Sequence, residues 1–399
     1  MMNRTKLLTR IINAGILLLL AGLGLSVTVA HAGAQVPRSK HVYIVAEENR
    51  SYEEIIGSSA MPYLNSIIAK GALATQFYAN EHGSLENYLL VTAGQYITHN
   101  NSTTATFSVD NIERHLLAKG MTFKSYAQSL PYAGYTGLYS GAYMKRHAPL
   151  IYYNEMAKSS LIKDHQSSAD LAKDIANNTL PNFAFITPDG NHDLHNCPSG
   201  ITVCKQTADA WLKANIGPLL ASPPFQPGGD GVLIIWSDEA DLNTDNRCSA
   251  TVSTGCGGRV VVTMIGPQVK AGFKSVSLYH QQSVLKTMLM LLGEETSFPG
   301  AAQTAPAMAE FFKGANSVTI LAPTSSTVTS TSVRLAASAK ASNPITAMKI
   351  YVNGVNKGSV SGALIDKTIS LPVGSHNVVY QAWDSKGNIY KNSKAVTVQ

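Results

Sequence analysis

An α/β fold with a mostly parallel sheet, followed by a small β-sandwich, is predicted by three features of the chain. Short runs of consecutive apolar, β-branched residues recur, each ending abruptly on polar or acidic residues. Helix-like segments separate these runs, and after about Asn316 the texture turns to short alternating strands. Runs that are apolar at successive positions suit strands covered on both faces, which is where parallel sheets lie.

The first residues stand apart from this pattern. Arg4, Lys6 and Arg10 form a basic start, an apolar run follows, and Ala30-His31-Ala32 makes a small-residue cleavage site. This is the layout of an export signal over residues 1–32, with the mature chain starting near Gly33. The apolar run also approaches the roughly 18 to 20 residues of a membrane span, so an uncleaved anchor is the alternative. The formal charge is +6, of which those three cations belong to the signal, leaving +3, too mild to argue for nucleic acid. With 45% hydrophobic and 14% charged residues, 399 residues can build one large core and one small one, which excludes a disordered chain.

Four strands are expected at "HVYIVAEEN", "FAFITPDG", "GVLIIWSDEAD" and "RVVVTMIG". Helices are expected at "MPYLNSIIAKG", with Gly71 as its stop, at "DNIERHLLAKG", between an Asp110 N-cap and Gly120, and at "QQSVLKTMLMLLG", ending at Gly293. Ser84 in "EHGSLENYLLVTAGQ" has the position of an N-cap for a further helix. Residues 33–315 then form the α/β domain and 316–399 an immunoglobulin-like β-sandwich, signalled by the Asn353-Gly354 hairpin turn and by strands around Lys386-Gly387. Cys197 with Cys204 and Cys248 with Cys256 are close pairs, read as two local disulfides of an exported protein, although four cysteines allow three connectivities. The tighter C-x2-C spacing of a four-thiolate zinc site is absent.

In open α/β sheets, ligands sit beyond the carboxyl ends of the strands. Three of the four strands place acids there: Glu48 with Asn49, Asp189 followed by Asp193, and Asp238 with Glu239. A crowd of carboxylates at one sheet edge cannot all ionise without compensation, so it implies a cation; Mg²⁺, Ca²⁺, Mn²⁺ and Zn²⁺ all fit the donor types. Any one of these acids alone reads better as a solvated strand end; the coincidence of three reverses that balance. The loop "TPDGNHDLHNC" adds His192 and His195, and His280 precedes the last helix. Capping alone explains Ser84 adequately. Yet a helix N-terminus also suits a phosphate, and a serine hydroxyl placed there beside a divalent cation is a competent nucleophile, with the Asn87 amide one turn on as a donor to a phosphoryl oxygen.

Taken in order, "EENRSYEEIIG", "HGSLENYLLVTAG", "PDGNHDLH" and "WSDEAD" resemble the phosphoesterase family of phosphocholine-type phospholipases C and bacterial acid phosphatases, within the alkaline phosphatase superfamily. The resemblance runs from about Lys40 to Lys313 and implies an alkaline-phosphatase-like sheet. It implies a metal held by Glu48, Asn49, Asp238 and Glu239, and Ser84 as the nucleophile with Asn87 on the phosphate. A related branch of the superfamily binds a second metal, for which Asp189, Asp193 and His280 sit in comparable places, so one or two ions are expected. "YMKRHAPLIYYN" resembles a basic H-x-P stretch of the family, bringing Lys145, Arg146 and His147 towards the phosphate; His82 and His195 join that substrate-binding set. Where the family commonly has proline, Glu86 stands before Asn87.

The resulting expectation is an exported, metal-dependent phosphoesterase of acid phosphatase or phospholipase C type. It acts through a phosphoserine, with His192 or His280 protonating the leaving oxygen. Its partner is a phosphoester small molecule or a phospholipid headgroup, and the C-terminal module meets a cell surface or glycan. Tyr132, Tyr135, Tyr139 and Tyr143 either build an aromatic headgroup site or simply pack. The alternative is a non-catalytic surface protein with a degenerate enzyme domain. No G-x-S-x-G occurs, which argues against a serine esterase of the α/β-hydrolase type.

Overall fold

A computed structural model describes residues 36–248, 256–313, 317–341 and 343–399. The export signal expected over 1–32 and the domain division expected at 315/316 lie outside those residues.

Eight strands form the main sheet: β1 (Val42–Glu47), β2 (Ala72–Phe77), β3 (Phe123–Ala127), β4 (His165–Ser167), β5 (Phe183–Thr187), β6 (Val232–Ser237), β7 (Val262–Ile265) and β8 (Phe273–Tyr279). Their order is β8-β2-β7-β6-β1-β5-β3-β4. All pairings are parallel except those of β7, which runs antiparallel to both β2 and β6. The strand expected at "RVVVTMIG" therefore departs from its neighbours' direction. Between β6 and β7 the described residues form no crossover helix, and an antiparallel neighbour needs none.

Burial explains why the central strands are uniformly apolar. On β1, Val42, Ile44 and Ala46 face one core while Tyr43 and Val45 face another. The first core is closed by α2 (Ser84–Ala93), α3 (Ile112–Ala118) and α6 (Gln281–Leu291). The second is closed by α1 (Pro62–Ile68), α4 (Ser168–Asn177) and α5 (Ile201–Ala221). Every residue of α2 is buried, so this helix is held by packing on all sides rather than by one apolar stripe.

Two helix ends differ from expectation. Asn111, not Asp110, caps α3: its Oδ1 accepts from Glu113 N at 2.8 Å, while Asp110 pairs instead with His115. Helix α1 already ends at Ile68, and Gly71 serves a close approach, since a Cβ there would lie 2.3 Å from the Met264 carbonyl oxygen of β7.

β1, β5 and β6 lie side by side at the sheet's centre. Their register pairs Glu47 with Ser237 and Val45 with Ile186, so Glu48 and Asp238 stand together one residue beyond the paired rows. That alignment creates the site.

Beside a short antiparallel pair, Tyr139–Ser140 with Tyr143–Met144, the C-terminal strands are β9 (Ser317–Ala322), β10 (Thr327–Val328), β11 (Ser332–Lys340), β12 (Ile345–Val352), β13 (Val355–Ser361), β14 (Leu364–Ser370), β15 (Gly374–Asp384) and β16 (Ile389–Val398). Strands β9–β16 form two sheets, β9-β11-β14 and β10-β16-β15-β12-β13, antiparallel but for the short β10/β16 pair. This is the layout of a sandwich, and its core, from Val318 to Val398, draws on no residue of the α/β part.

Leu335→Ala, in the fully buried middle of that separate core, should destabilise the sandwich by about 2–5 kcal/mol. Hydrogen exchange should then show lost protection over β9–β16 while β1–β8 stay protected.

Candidate active site

The turn after β1 starts the site. Asn49 adopts a left-handed conformation (φ 51°), which asparagine tolerates better than most residues, and its N–H points at Asp238 Oδ1 at 3.4 Å. Arg50 then ties three loops together. It donates to the Asn49 and Leu194 carbonyls and to Cys197 Sγ, and lies 3.4 Å from Asp241. The Cys197–Cys204 disulfide closes the loop that Arg50 grips, and Cys248 is bonded to Cys256.

Helix α2 enters from the side. Gly83 is its N-cap and Ser84 its first helical residue, so the N-cap position expected for Ser84 moves back by one. The Ser84 hydroxyl is consequently not spent on the helix's own N–H groups. It lies 3.2 Å from Glu48 Oε2 and 3.3 Å from Glu239 Oε1, one proton between two carboxylates. A Cβ at position 83 would meet the Glu86 carboxylate at 2.7 Å, so a larger residue there would require the Glu86 side chain to shift. One turn on, Tyr88 donates its hydroxyl to Glu48 Oε1 at 2.7 Å. Tyr88 was not singled out from sequence, although it lies at i+4 from Ser84, on the same helix face.

The acids are deeply buried. Glu48 and Asp238 are 0% exposed, and Asp238 Oδ2 has no hydrogen-bond partner. Desolvation, then the neighbouring carboxylates, push Asp238 well above its ordinary range; Glu48 is pushed up to about 7, mainly by burial, with His147 opposing. Glu48, Asp238 and Glu239 offer oxygens within 4.8 Å of one another, and Glu48 also does so with His147 and His195. An unpartnered buried carboxylate oxygen among three acids is what a divalent cation would satisfy, so the donor set fits one.

The basic stretch is a 3-10 turn, Lys145–His147, whose successive side chains point about 120° apart. Lys145 goes into the core, its Nζ 4.3 Å from the Tyr152 ring centroid, and does not line the pocket, contrary to the substrate-binding role expected for it. Arg146 reaches the pocket. His147 lies between Asp193 Oδ2 at 3.0 Å and Glu48 Oε1 at 3.2 Å, and burial pulls its pKa down to about 3.

Several other expected roles change. Asn87 spends its amide on the carbonyls of Glu81 (2.8 Å) and Gly83 (3.3 Å); it braces the loop carrying His82 rather than facing a phosphate. Asp189 is taken by Ser129 Oγ, the Asn191 N–H and His192 Nδ1 at 2.6, 3.1 and 2.7 Å, and Asp193 by His147 and the His195 N–H, so both carboxylates are engaged by protein partners. Neither His192 nor His280 lines the pocket over Ser84. His280 instead N-caps α6 with Nδ1 at the Tyr78 carbonyl, and it is the next residue, Gln281, that reaches the site, donating to the Asp238 carbonyl at 2.8 Å. Of the four tyrosines, Tyr143 is buried, Tyr135 packs edge-on to Tyr132 and Tyr143, and Tyr139 meets Arg146.

The pocket itself, about 400 Å³, is lined by Asn49, Arg50, His82, Ser84, Arg146, His195 and Glu239, with Leu242 and Ala240 as its few apolar walls. A serine hydroxyl at the floor of a carboxylate cluster, ringed by arginine and histidine, suits attack on a phosphoryl group. Residues 58–292, more than half of the chain, match the profile of the phosphoesterase family. The chain belongs to the phosphoesterase family. It is thereby a hydrolase acting on phosphoric ester bonds.

Among relatives of this phosphoesterase, the phosphatidylinositol-3-phosphatase of Mycobacterium tuberculosis is 27% identical over 278 residues, 69% of this chain and 84% of the relative. A probable acid phosphatase of Kluyveromyces lactis is 28% identical over 210 residues, 50% of this chain and 47% of the relative, so the match spans about half of that protein. A solved structure from Vibrio parahaemolyticus, described as in the alkaline phosphatase superfamily, aligns with a TM-score of 0.48 at 13% identity, over 89% of this chain and 82% of that one.

Metal-free protein should lose stability as pH rises. The folded Glu48 holds its proton up to about 7 and Asp193 likewise, against 4.5 and 3.8 for the ordinary groups, so folding takes up protons between those limits. The stabilisation is full below about pH 4 and is lost as pH climbs through 7. Urea midpoints of chelator-treated protein should fall across that window, and a saturating divalent cation should flatten the fall.

Proposed function

We propose that the chain is an exported, metal-dependent phosphomonoesterase in which Ser84 attacks phosphorus. The observation that carries this reading is the Ser84 hydroxyl held between Glu48 and Glu239 at the floor of the pocket. Glu48, Asn49, Asp238 and Glu239 would hold the cation; when bound it lowers the pKa of the serine hydroxyl and neutralises charge on the phosphoryl oxygens.

Ser84 Oγ forms a bond to phosphorus as its proton passes to the Glu239 or Glu48 carboxylate, and the ester P–O bond opposite breaks. The leaving oxygen takes a proton from His82. This imidazole replaces His192 and His280 in that role because it lines the pocket; its Nδ1 lies 3.3 Å from Glu239 Oε2 and its Nε2 has no hydrogen-bond partner. Water then attacks the phosphoserine and gives a proton to His82, the P–Oγ bond breaks, and phosphate leaves as Ser84 Oγ takes back the proton held by the carboxylate.

A small, mostly polar pocket supports a monoester over a phospholipid diester, which needs room for a second organic group. The relatives named for phosphatidylinositol-3-phosphatase and acid phosphatase activity support the same choice. The signal-like pattern of residues 1–32 and the two disulfides support a secreted, periplasmic or cell-surface location, and no helix among the described residues is long and apolar enough to cross a membrane. Residues 33–315 act as the catalytic domain and 316–399 as an accessory module for surface or glycan contact.

Ser84→Ala should lower turnover of p-nitrophenyl phosphate by on the order of 10³-fold or more with an unchanged unfolding midpoint. Retention of wild-type activity by the folded variant would remove the mechanism. Faster hydrolysis of bis(p-nitrophenyl) phosphate than of the monoester would overturn the substrate choice alone.

A further inference from the structure

Two imidazoles beside Glu48 have their protons placed by their neighbours. His147 Nδ1 lies 3.0 Å from Asp193 Oδ2, which accepts its proton once Asp193 is ionised, and Nε2 faces Glu48 Oε1 at 3.2 Å with no hydrogen bond between them. His147 is 1% exposed, so neither solvent nor a hydrogen bond satisfies that Nε2. For His195 the same tautomer follows from a different partner. Arginine can only donate, so the 3.0 Å contact from Arg146 makes His195 Nε2 the acceptor, and Nδ1–H donates to Asn196 Oδ1 at 2.9 Å. Both rings thus hold the form in which Nε2 ligates a metal, each oriented through Nδ1. Ligand atoms of Glu48, His147 and His195 lie within 4.8 Å of one another.

Arg146 has an unusual position for a guanidinium. Its partners are neutral, His195 Nε2 and the hydroxyl of half-exposed Tyr139 at 3.1 Å, and no carboxylate pairs with it among the described residues. Arg50, in the same pocket, is by contrast spent on three loops. We propose that Arg146 is a cationic latch: it occupies the His195 lone pair that completes a Glu48–His147–His195 metal site, and releases it when a divalent cation with imidazole affinity enters. Two imidazoles and a carboxylate suit Zn²⁺ or Co²⁺, whereas the all-oxygen set of Glu48, Asp238 and Glu239 suits a harder ion. Once displaced, Arg146 stays at the pocket wall through Tyr139, where its planar fork faces the place a phosphate would take. Loading the imidazole site and presenting an arginine to the substrate become one event.

The inference shares Glu48 with the proposed catalytic ion, so the test must separate the two sites. Metal-free full-length protein is titrated with Co²⁺ alone, followed by calorimetry and by the visible absorption of the ion. The wild type should take up two ions, His195→Gln should lose only the imidazole-type absorption, and Asp238→Asn should lose only the other uptake. Arg146→Met should bind the imidazole-site ion about tenfold more tightly, with the other uptake unchanged. Tyr139→Phe, which slackens the latch without touching any ligand, should shift the same step in the same direction and stands in if Arg146→Met fails to fold. A single uptake in wild type and both latch variants, or a second uptake indifferent to all of them, would overturn the proposal. An unaltered first uptake in Asp238→Asn would instead count against the catalytic-ion reading and leave the latch standing.

Discussion

The carboxylate of Glu48 cannot be left alone where the fold puts it. It is fully buried at the end of a central strand, within reach of Asp238, Glu239 and His147, and receives hydroxyls from both Ser84 and Tyr88. A charge in such surroundings is either neutralised by a proton or compensated by a cation. In the metal-free molecule the proton prevails, which is why burial raises both Glu48 and Asp238. Filling the cluster with a cation would exchange that proton for a charge useful in catalysis, and most of the surrounding architecture makes sense as a frame for this exchange.

The frame has three parts. The parallel register of β1 with β5 and β6 brings the acids together. Helix α2, buried on every side, fixes the serine against them, and Asn87 and Gln281 brace the loop and strand end on which it depends. Arg50, donating to Asn49, Leu194 and Cys197, keeps the rim from opening. The site thus depends on side chains that brace it as well as on those that line it, as a site demanding sub-ångström placement requires.

Much of this was legible in the sequence because strand ends announce themselves. An apolar run that stops on Glu-Asn or Asp-Glu reports both the strand and the direction in which its terminal carboxylates face, so Glu48, Asn49, Asp238 and Glu239 could be placed without coordinates. Ser84 was legible as a residue but not as geometry: a one-residue shift in the helix start decides whether its hydroxyl caps the helix or meets the acids. The loop residues were harder still. His192, His195, Asp189 and Asp193 are equally capable ligands on paper, and only the fold of the loop sends His195 to the pocket and Asp189 to Ser129. Lys145, Arg146 and His147 diverge because a 3-10 turn separates neighbours by a third of a circle, which no composition rule foretells. The reversal of β7 was invisible for the same reason: apolarity reports burial, not direction.

The central claim is that a cation in the acid cluster turns Ser84 from a buried hydroxyl into a nucleophile. It is tested most directly by acid-quenching the enzyme during turnover of a phosphate monoester and mapping phosphoryl groups by peptide mass spectrometry. The account predicts a phosphoryl group on Ser84 when a divalent cation is present and none after chelation. Turnover in the presence of the cation with Ser84 never modified, or modification that persists without any cation, would contradict it.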